Sequence, residues 1–96
     1  MATISSDILA SYAADAAREV DGVHGLVEGG LHRHKGVRIE EENGRVRVEL
    51  HLAVEWGSSL PDVGREVQRR VAGYLGRMAS IEPEAVDVVV DEIVRR

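Results

Sequence analysis

Between Arg45 and Trp56 the chain alternates without a break. Val46, Val48, Leu50, Leu52, Val54 and Trp56 fall on one side, and Arg45, Arg47, Glu49, His51, Ala53 and Glu55 on the other. Period two over that length predicts a strand with one buried face and one wet face. Upstream, Val37 and Ile39 alternate with Arg38, Glu40 and Glu42, and Asn43-Gly44 separates the two runs. That dipeptide suits a type I′ turn, which needs positive φ at both central residues, so the two runs predict a β-hairpin. A two-residue loop pairs Glu42 with Arg45, Glu40 with Arg47, Arg38 with Glu49, Ile39 with Val48 and Val37 with Leu50. Opposite charges then meet on one face and aliphatics on the other, as cross-strand pairing favours. A one-residue slip would turn every side chain to the wrong face.

Elsewhere the period is helical. Ser5 or Ser6 caps a first helix with Asp7 in its first turn, and Ile8, Leu9, Tyr12, Ala13, Ala16 and Val20 form its apolar face. Asp7, Ser11, Asp15 and Arg18 lie opposite, five alanines between Ala10 and Ala17 keep one side thin, and Asp21-Gly22 closes the helix with a left-handed cap. Val23 to Glu28 reads as a short strand broken by His24 and Gly25. Gly29 to Gly36 is a basic, glycine-rich loop. Ser59-Leu60-Pro61-Asp62 opens a second helix as a capping box, with Val63, Val67, Val71, Tyr74, Leu75 and Met78 as its stripe. After Pro83, Ala85 to Val94 predicts a last strand. The order α-β-β-β-α-β, with single-faced helices and a single-faced hairpin, predicts an α+β two-layer sandwich. Both helices lie on one face of a three- or four-stranded mixed sheet. The crossover through the second helix makes the long strand and the last strand parallel.

Ninety-six residues allow a single domain, 1–96, with one core and no visible linker or repeat. The chain has no cysteine, which excludes disulfides, cysteine-based zinc sites and a cysteine nucleophile. No apolar run approaches the roughly 20 residues that span a bilayer, and the first residues lack a signal-peptide pattern, so a soluble cytoplasmic protein without direct membrane insertion is expected. The net charge of -5 and an aromatic set of Tyr12, Tyr74 and Trp56 argue against nucleic-acid binding by charge or by base stacking.

Candidate chemistry is sparse. His32 and His34 sit close in sequence, but His51 projects from the wet face of the hairpin and His24 belongs to another strand, so nothing fixes their convergence on a metal. The plain reading is solvated histidines, and no metal or other cofactor is expected. The Gly29–Gly36 loop could expose backbone N–H groups to a phosphate beside Arg33 and Lys35, yet it matches no Walker or dinucleotide pattern and precedes no helix. It reads as a mobile connection. Ser58-Ser59 has no nucleophile-elbow context, and Glu40, Glu41 and Glu42 are matched by arginines across the hairpin, so no enzyme activity is expected. Asp87 and Asp91 share the wet face of the last strand. The densest positive cluster is Arg65, Arg69, Arg70 and Arg77 on the second helix, either a solvated face or a surface that docks an acidic patch. The acidic hairpin tip and Asp-rich last strand are complementary to it, as head-to-tail assembly requires.

Ile8-Leu9 through Val20-Asp21-Gly22-Val23, then Lys35-Gly36-Val37 before the hairpin, resemble the opening blocks of the bacterial alkaline-shock, or envelope-stress-response, protein family. Val54 to Gly57, Leu60-Pro61, Val67-Gln68-Arg69-Arg70-Val71 and the closing Val86-Asp87-Val88-Val89-Val90 are similar to its later blocks. The resemblance runs over roughly residues 4 to 94. It implies a compact α+β domain with no known catalytic centre, in cytoplasmic proteins that self-assemble and gather at the membrane through a membrane-anchored relative. Gly22, Val23, Gly36, Gly57, Pro61, Val67 and Gln68 are its matched positions, read as turn and core constraints. The expected function is a noncatalytic scaffold of the envelope stress response, a homo-oligomer docking to a membrane-anchored partner and taking no small-molecule substrate. A small nucleic-acid-binding module is the alternative, and salt-sensitive RNA binding would be its mark.

Overall fold

A computed structural model describes residues 4–30 and 32–95. The elements follow in the order α1 (Ser6–Arg18), β1 (Val23–Leu26), β2 (Val37–Glu42), β3 (Arg45–Glu55), α2 (Leu60–Ala79) and β4 (Ala85–Val94). The hairpin has the register that its charges dictate, from Val37 opposite Leu50 to Glu42 opposite Arg45. Asn43 and Gly44 both hold positive φ, at 52° and 79°. β4 runs parallel to β3, from Ala85 opposite Arg47 to Val94 opposite Glu55, with a bulge between Leu52 and Ala53.

β3 is the hub. Its other edge is occupied twice, because β2 covers Arg45–Leu50 and β1 covers Leu52–Val54, both antiparallel. β1 and β2 are therefore two lengths of one interrupted edge strand. The chain leaves at Val27, whose N–H donates to the His51 carbonyl at 2.8 Å, and returns at Gly36, whose carbonyl accepts from the His51 N–H at 2.9 Å.

One face of this sheet carries the core: Val46, Val48, Leu50, Leu52 and Val54 of β3 pack with Val37, with Leu9 and the alanines of α1, and with Val63, Val67, Val71 and Leu75 of α2. The thin side of α1 is its packing side. Ala10, Ala13, Ala14 and Ala17 are buried together with Leu9, while Ile8, expected on the apolar face, is exposed. Alanine lets the helix backbone lie close to both sheet and α2, and a wider residue would hold it off. Tyr12 meets Tyr74 edge to face, with ring centroids 5.8 Å apart, where the helices cross.

Both N-caps form: the Ser5 hydroxyl accepts from the Ile8 N–H at 3.2 Å, and the Ser59 hydroxyl accepts from the Asp62 N–H at 3.4 Å. α1 ends earlier than its glycine suggests. Glu19 caps it in the right-handed region, and Gly22, with φ 94°, serves the turn into β1. A Cβ on Gly22 would sit 2.8 Å from the Val63 side chain, so close approach to α2 also requires glycine there. Trp56, last of the alternating residues, lies just past the end of β3 and is 64% exposed, and Arg95 stacks over its ring at 5.1 Å.

Candidate functional site

The helix cluster proposed from sequence keeps its place on α2, but its charges are engaged within the helix. Arg65 pairs with Asp62, and Arg69 donates to both Glu66 oxygens, at 2.6 and 3.0 Å. Arg70 lies 3.9 Å from the same Glu66, and Arg77 stands over the Tyr74 ring at 5.7 Å. The outward face of α2 is thus mixed rather than uniformly positive: Asp62, Arg65 and Glu66 sit toward its start, Arg69, Arg70 and Arg77 toward its end. Gly64 and Gly73 leave open space where a side chain would stand. Gln68 belongs to another job. Its amide donates to the Val86 carbonyl at 2.9 Å, tying α2 to β4.

The outer sheet face holds a second constellation that sequence reasoning left as scattered wet residues. Alternation along β3 puts Glu49 and His51 on this face, two residues apart, and the parallel partner β4 brings Asp91 beside them. His51 Nε2 lies 2.8 Å from Glu49 Oε2, and His51 Nδ1 lies 2.9 Å from Asp91 Oδ2. Arg33 reaches over from the loop, its Nη1 3.6 Å from that same Asp91 oxygen. The His51 and Arg33 side chains are each only 16% exposed. His51 is therefore no solvated histidine. A ring carrying both protons donates to both carboxylates, whereas a ring with one proton turns a lone pair toward one of them. Glu49 is held below its ordinary 4.5, first by the hydrogen bond from His51 and further by the Arg38 and Arg33 charges, against a smaller opposing effect of burial.

The remaining sequence candidates separate. His34 stands 3.9 Å from Asp7 of α1, and His24 is exposed on β1. Among the described residues no group of three His, Cys, Asp or Glu side chains is arranged to hold a metal ion. The arginines matched to Glu40 and Glu42 across the hairpin turn the other way: Arg45 pairs with Glu84 at 3.3 Å and Arg47 with Asp87 at 3.7 Å, while Glu40 is taken by Arg38 of its own strand. A hollow of about 730 Å³ at the hairpin tip is lined by these charged side chains, and one of about 440 Å³ lies between the end of α1 and the start of α2. No helix among the described residues is long and apolar enough to cross a membrane.

Among solved structures the chain is similar to a double variant of the MamM CTD, with a TM-score of 0.69, 15% identity, and 93% of this chain and 84% of that one covered. A manganese form of the same domain gives a TM-score of 0.60 at 15% identity, covering 92% and 99%. These likenesses are of fold. Among curated proteins it is 27% identical to the uncharacterized YqhY of Bacillus subtilis over 88% of this chain and 70% of that protein. It is 28% identical to the uncharacterized Spy1535 of Streptococcus pyogenes over 95% and 77%. The model of the alkaline shock protein 23 family, described as of cell envelope-related function, matches residues 1–95, and the chain belongs to that family.

Proposed function

We propose that this domain is a noncatalytic assembly module of the cell envelope response, acting in the cytoplasm by self-association and by docking to a membrane-anchored protein partner. The observation that carries this reading is the outward face of α2. It is a 20-residue helix whose exposed side carries Asp62 and Glu66, with Arg65 between them, toward its start and only arginines among its charged residues, Arg69, Arg70 and Arg77, toward its end. Two such helices laid antiparallel bring each acidic half against the other's basic half. Glycines where they would touch allow close approach. An acidic partner surface would engage the basic half alone. Family membership supports a role at the envelope. Metal forms of the MamM CTD add nothing here, because Glu49, His51 and Asp91 are committed to one another and to Arg33.

Sedimentation velocity across a wide concentration range, at low and high salt, tests the reading. The wild type should form larger species as concentration rises, and salt should reverse them. Arg69→Glu with Arg70→Glu, both in the basic half, should abolish that growth while leaving the far-UV spectrum unchanged. A monomer at every concentration, or growth untouched by the charge reversals, removes α2 as the assembly surface. Steeply salt-dependent RNA binding would favour the nucleic-acid alternative.

A further inference from the structure

β4 ends the sheet. It is bonded to β3 on one side, and among the described residues no strand lies on the other. An open edge of this length is a template for another strand, and proteins blunt such edges with proline, lysine, bulges or a covering element. From Ala85 to Val94 there is neither proline nor lysine. The acids on its wet face are engaged within the sheet, Asp87 with Arg47 at 3.7 Å and Asp91 with His51 at 2.9 Å. Above it, Gln68 of α2 reaches the Val86 carbonyl, and the same i, i+4 row of the helix continues with Gly64, Ala72 and Gly76, none long enough to overhang the edge. The opposite edge is of another kind. It is split between β1 and β2, and β2 ends in Glu40, Glu41 and Glu42.

The burial of β4 is incomplete in the way a missing neighbour would leave it. Val48, Leu50 and Leu52 of the central strand are fully buried. Val86, Val88 and Val90, beside them on the same face and packed against the same core, are only half-buried, and Val89 on the other face is 36% exposed. The one device that blunts this edge is the bulge at Asp91, where Val90 lies opposite Leu52 and Glu92 already opposite Ala53. Before it the strand is regular.

We propose that the partner of this edge is the β4 of a second copy, paired antiparallel about a two-fold axis at Val88, so that two four-stranded sheets join into one. A two-fold contact requires an edge complementary to itself, and the sequence of β4 allows this in one register. Side-chain alternation keeps like faces together only when a residue lies on the axis. An axis on Asp87 sets that acid against its own copy, an axis on Val89 sets each Asp87 against the other copy's Asp91, and an axis on Val90 runs the pairing into the bulge. An axis on Val88 sets Val86 against Val90 and Asp87 against Val89, with no acid facing an acid. The half-buried valines of both copies then form one apolar row on the helix-bearing face. This contact rests on the reading of the domain as self-associating, but it uses a different surface from the outward face of α2. Backbone hydrogen bonds and apolar burial hold it, so salt does not reverse it.

The test is made in the Arg69→Glu, Arg70→Glu background, which removes the α2 contact and leaves β4 untouched. Sedimentation velocity should there show a monomer–dimer equilibrium that persists at high salt. Val89→Asp sets an acid opposite each Asp87 of the other copy and Val89→Lys sets a base there. The dimer of the aspartate variant should have a Kd at least roughly tenfold higher than that of the lysine variant, because two symmetry-related pairs change sign together. Far-UV circular dichroism checks that both fold, and residue 89 is exposed on the wet face. The chain has no cysteine, so a single introduced one reports the axis. Val88→Cys places two thiols directly opposite, with Cα atoms about 4.5–5.5 Å apart and within disulfide reach, whereas Val89→Cys leaves them on a diagonal about 7–8 Å apart. Under oxidised glutathione Val88→Cys should give the linked dimer and Val89→Cys should not, although residue 89 is the more exposed. A monomer at every concentration overturns the proposal, even where a strand of another protein takes the edge. Equal affinities of the two Val89 charge variants, or linking at residue 89 as fast as at 88, overturn it as well. Larger species that survive the arginine reversals count against α2 alone, and the comparison of the two cysteines still reads the β4 contact.

Discussion

Gly36 stands where the chain rejoins the sheet after its excursion between β1 and β2, with φ 81° and the place of its missing side chain facing Leu26 and Val27. A Cβ there would lie 2.8 Å from the Leu26 Cβ, 3.0 Å from the Val27 carbonyl oxygen and 3.2 Å from the Val27 nitrogen. Leu26 and Val27 cannot step aside cheaply, because Leu26 pairs with Leu52 and the Val27 N–H is bound to His51. Gly36→Ala therefore combines two costs, left-handed backbone at a residue with a side chain and overpacking against fixed backbone, together about 2–5 kcal/mol. Gly44→Ala is the matched control. Its φ of 79° is nearly the same, but nothing lies within 4 Å of the added carbon, so it carries the backbone cost alone, about 1–2 kcal/mol. Urea unfolding followed by far-UV circular dichroism would compare the two, the domain having only about 5–15 kcal/mol to lose. Equal destabilisation by the two alanines would refute the close approach of Gly36 to Leu26 and Val27, and with it the description of β1 and β2 as one edge strand pinched around an excursion.

Gly73 lies exposed in the interior of α2 with open space at its missing side chain, so Gly73→Ala should stabilise the monomer by about 1 kcal/mol, raising Tm by about 4–8 °C. If α2 packs closely against a second copy, the same change should weaken the association seen by sedimentation; a drop in Tm would show that Gly73 is needed within the monomer. Glu49 predicts an acid limb. Its folded pKa is depressed, so the unfolded chain takes up the proton first; its contribution to stability is complete above its ordinary 4.5 and is lost as pH falls through the lower folded value. Urea midpoints measured from pH 6 downward should therefore fall less steeply for Glu49→Gln than for the wild type, and parallel curves would refute the assignment.

The hairpin was legible because two independent patterns, aliphatic alternation and charge alternation, agree on only one register, and the Asn43-Gly44 turn fixes its start. β4 was legible by the same alternation, and its direction by the helix that precedes it. α1 misled at Ile8 because the apolar stripe was sought among large residues, while the helix packs through alanines. Trp56 misled because alternation reports which way a residue points and not whether a neighbour covers it. On α2 the four arginines were visible as a cluster, but the i, i+3 and i, i+4 pairing of Arg65, Arg69 and Arg70 with Asp62 and Glu66 was not drawn from the same spacing.

His51 shows where sequence periodicity stops being informative. Alternation assigns it correctly to the outer face of β3, and a face without helices reads as wet. Yet β3 is flanked on both edges, so His51 lies in the middle of a sheet whose neighbours carry long or charged side chains. Arg33 and Asp91 arrive from a loop and from a strand that are distant in the chain, and no local pattern announces either. The signal that could have pointed there was in the charges: the last strand sends Asp87 and Asp91 to the same face as Arg47 and His51 once it is placed parallel to β3. That placement also explains why Arg45 and Arg47 abandon their hairpin partners, since a strand with two neighbours offers each arginine a choice. Exposed pairs of that kind contribute about 0–1 kcal/mol each, so exchanging one for another leaves the fold nearly unchanged. The pairs around His51 differ because the His51 and Arg33 side chains are largely shielded from water, so there a lost partner leaves a buried charge behind.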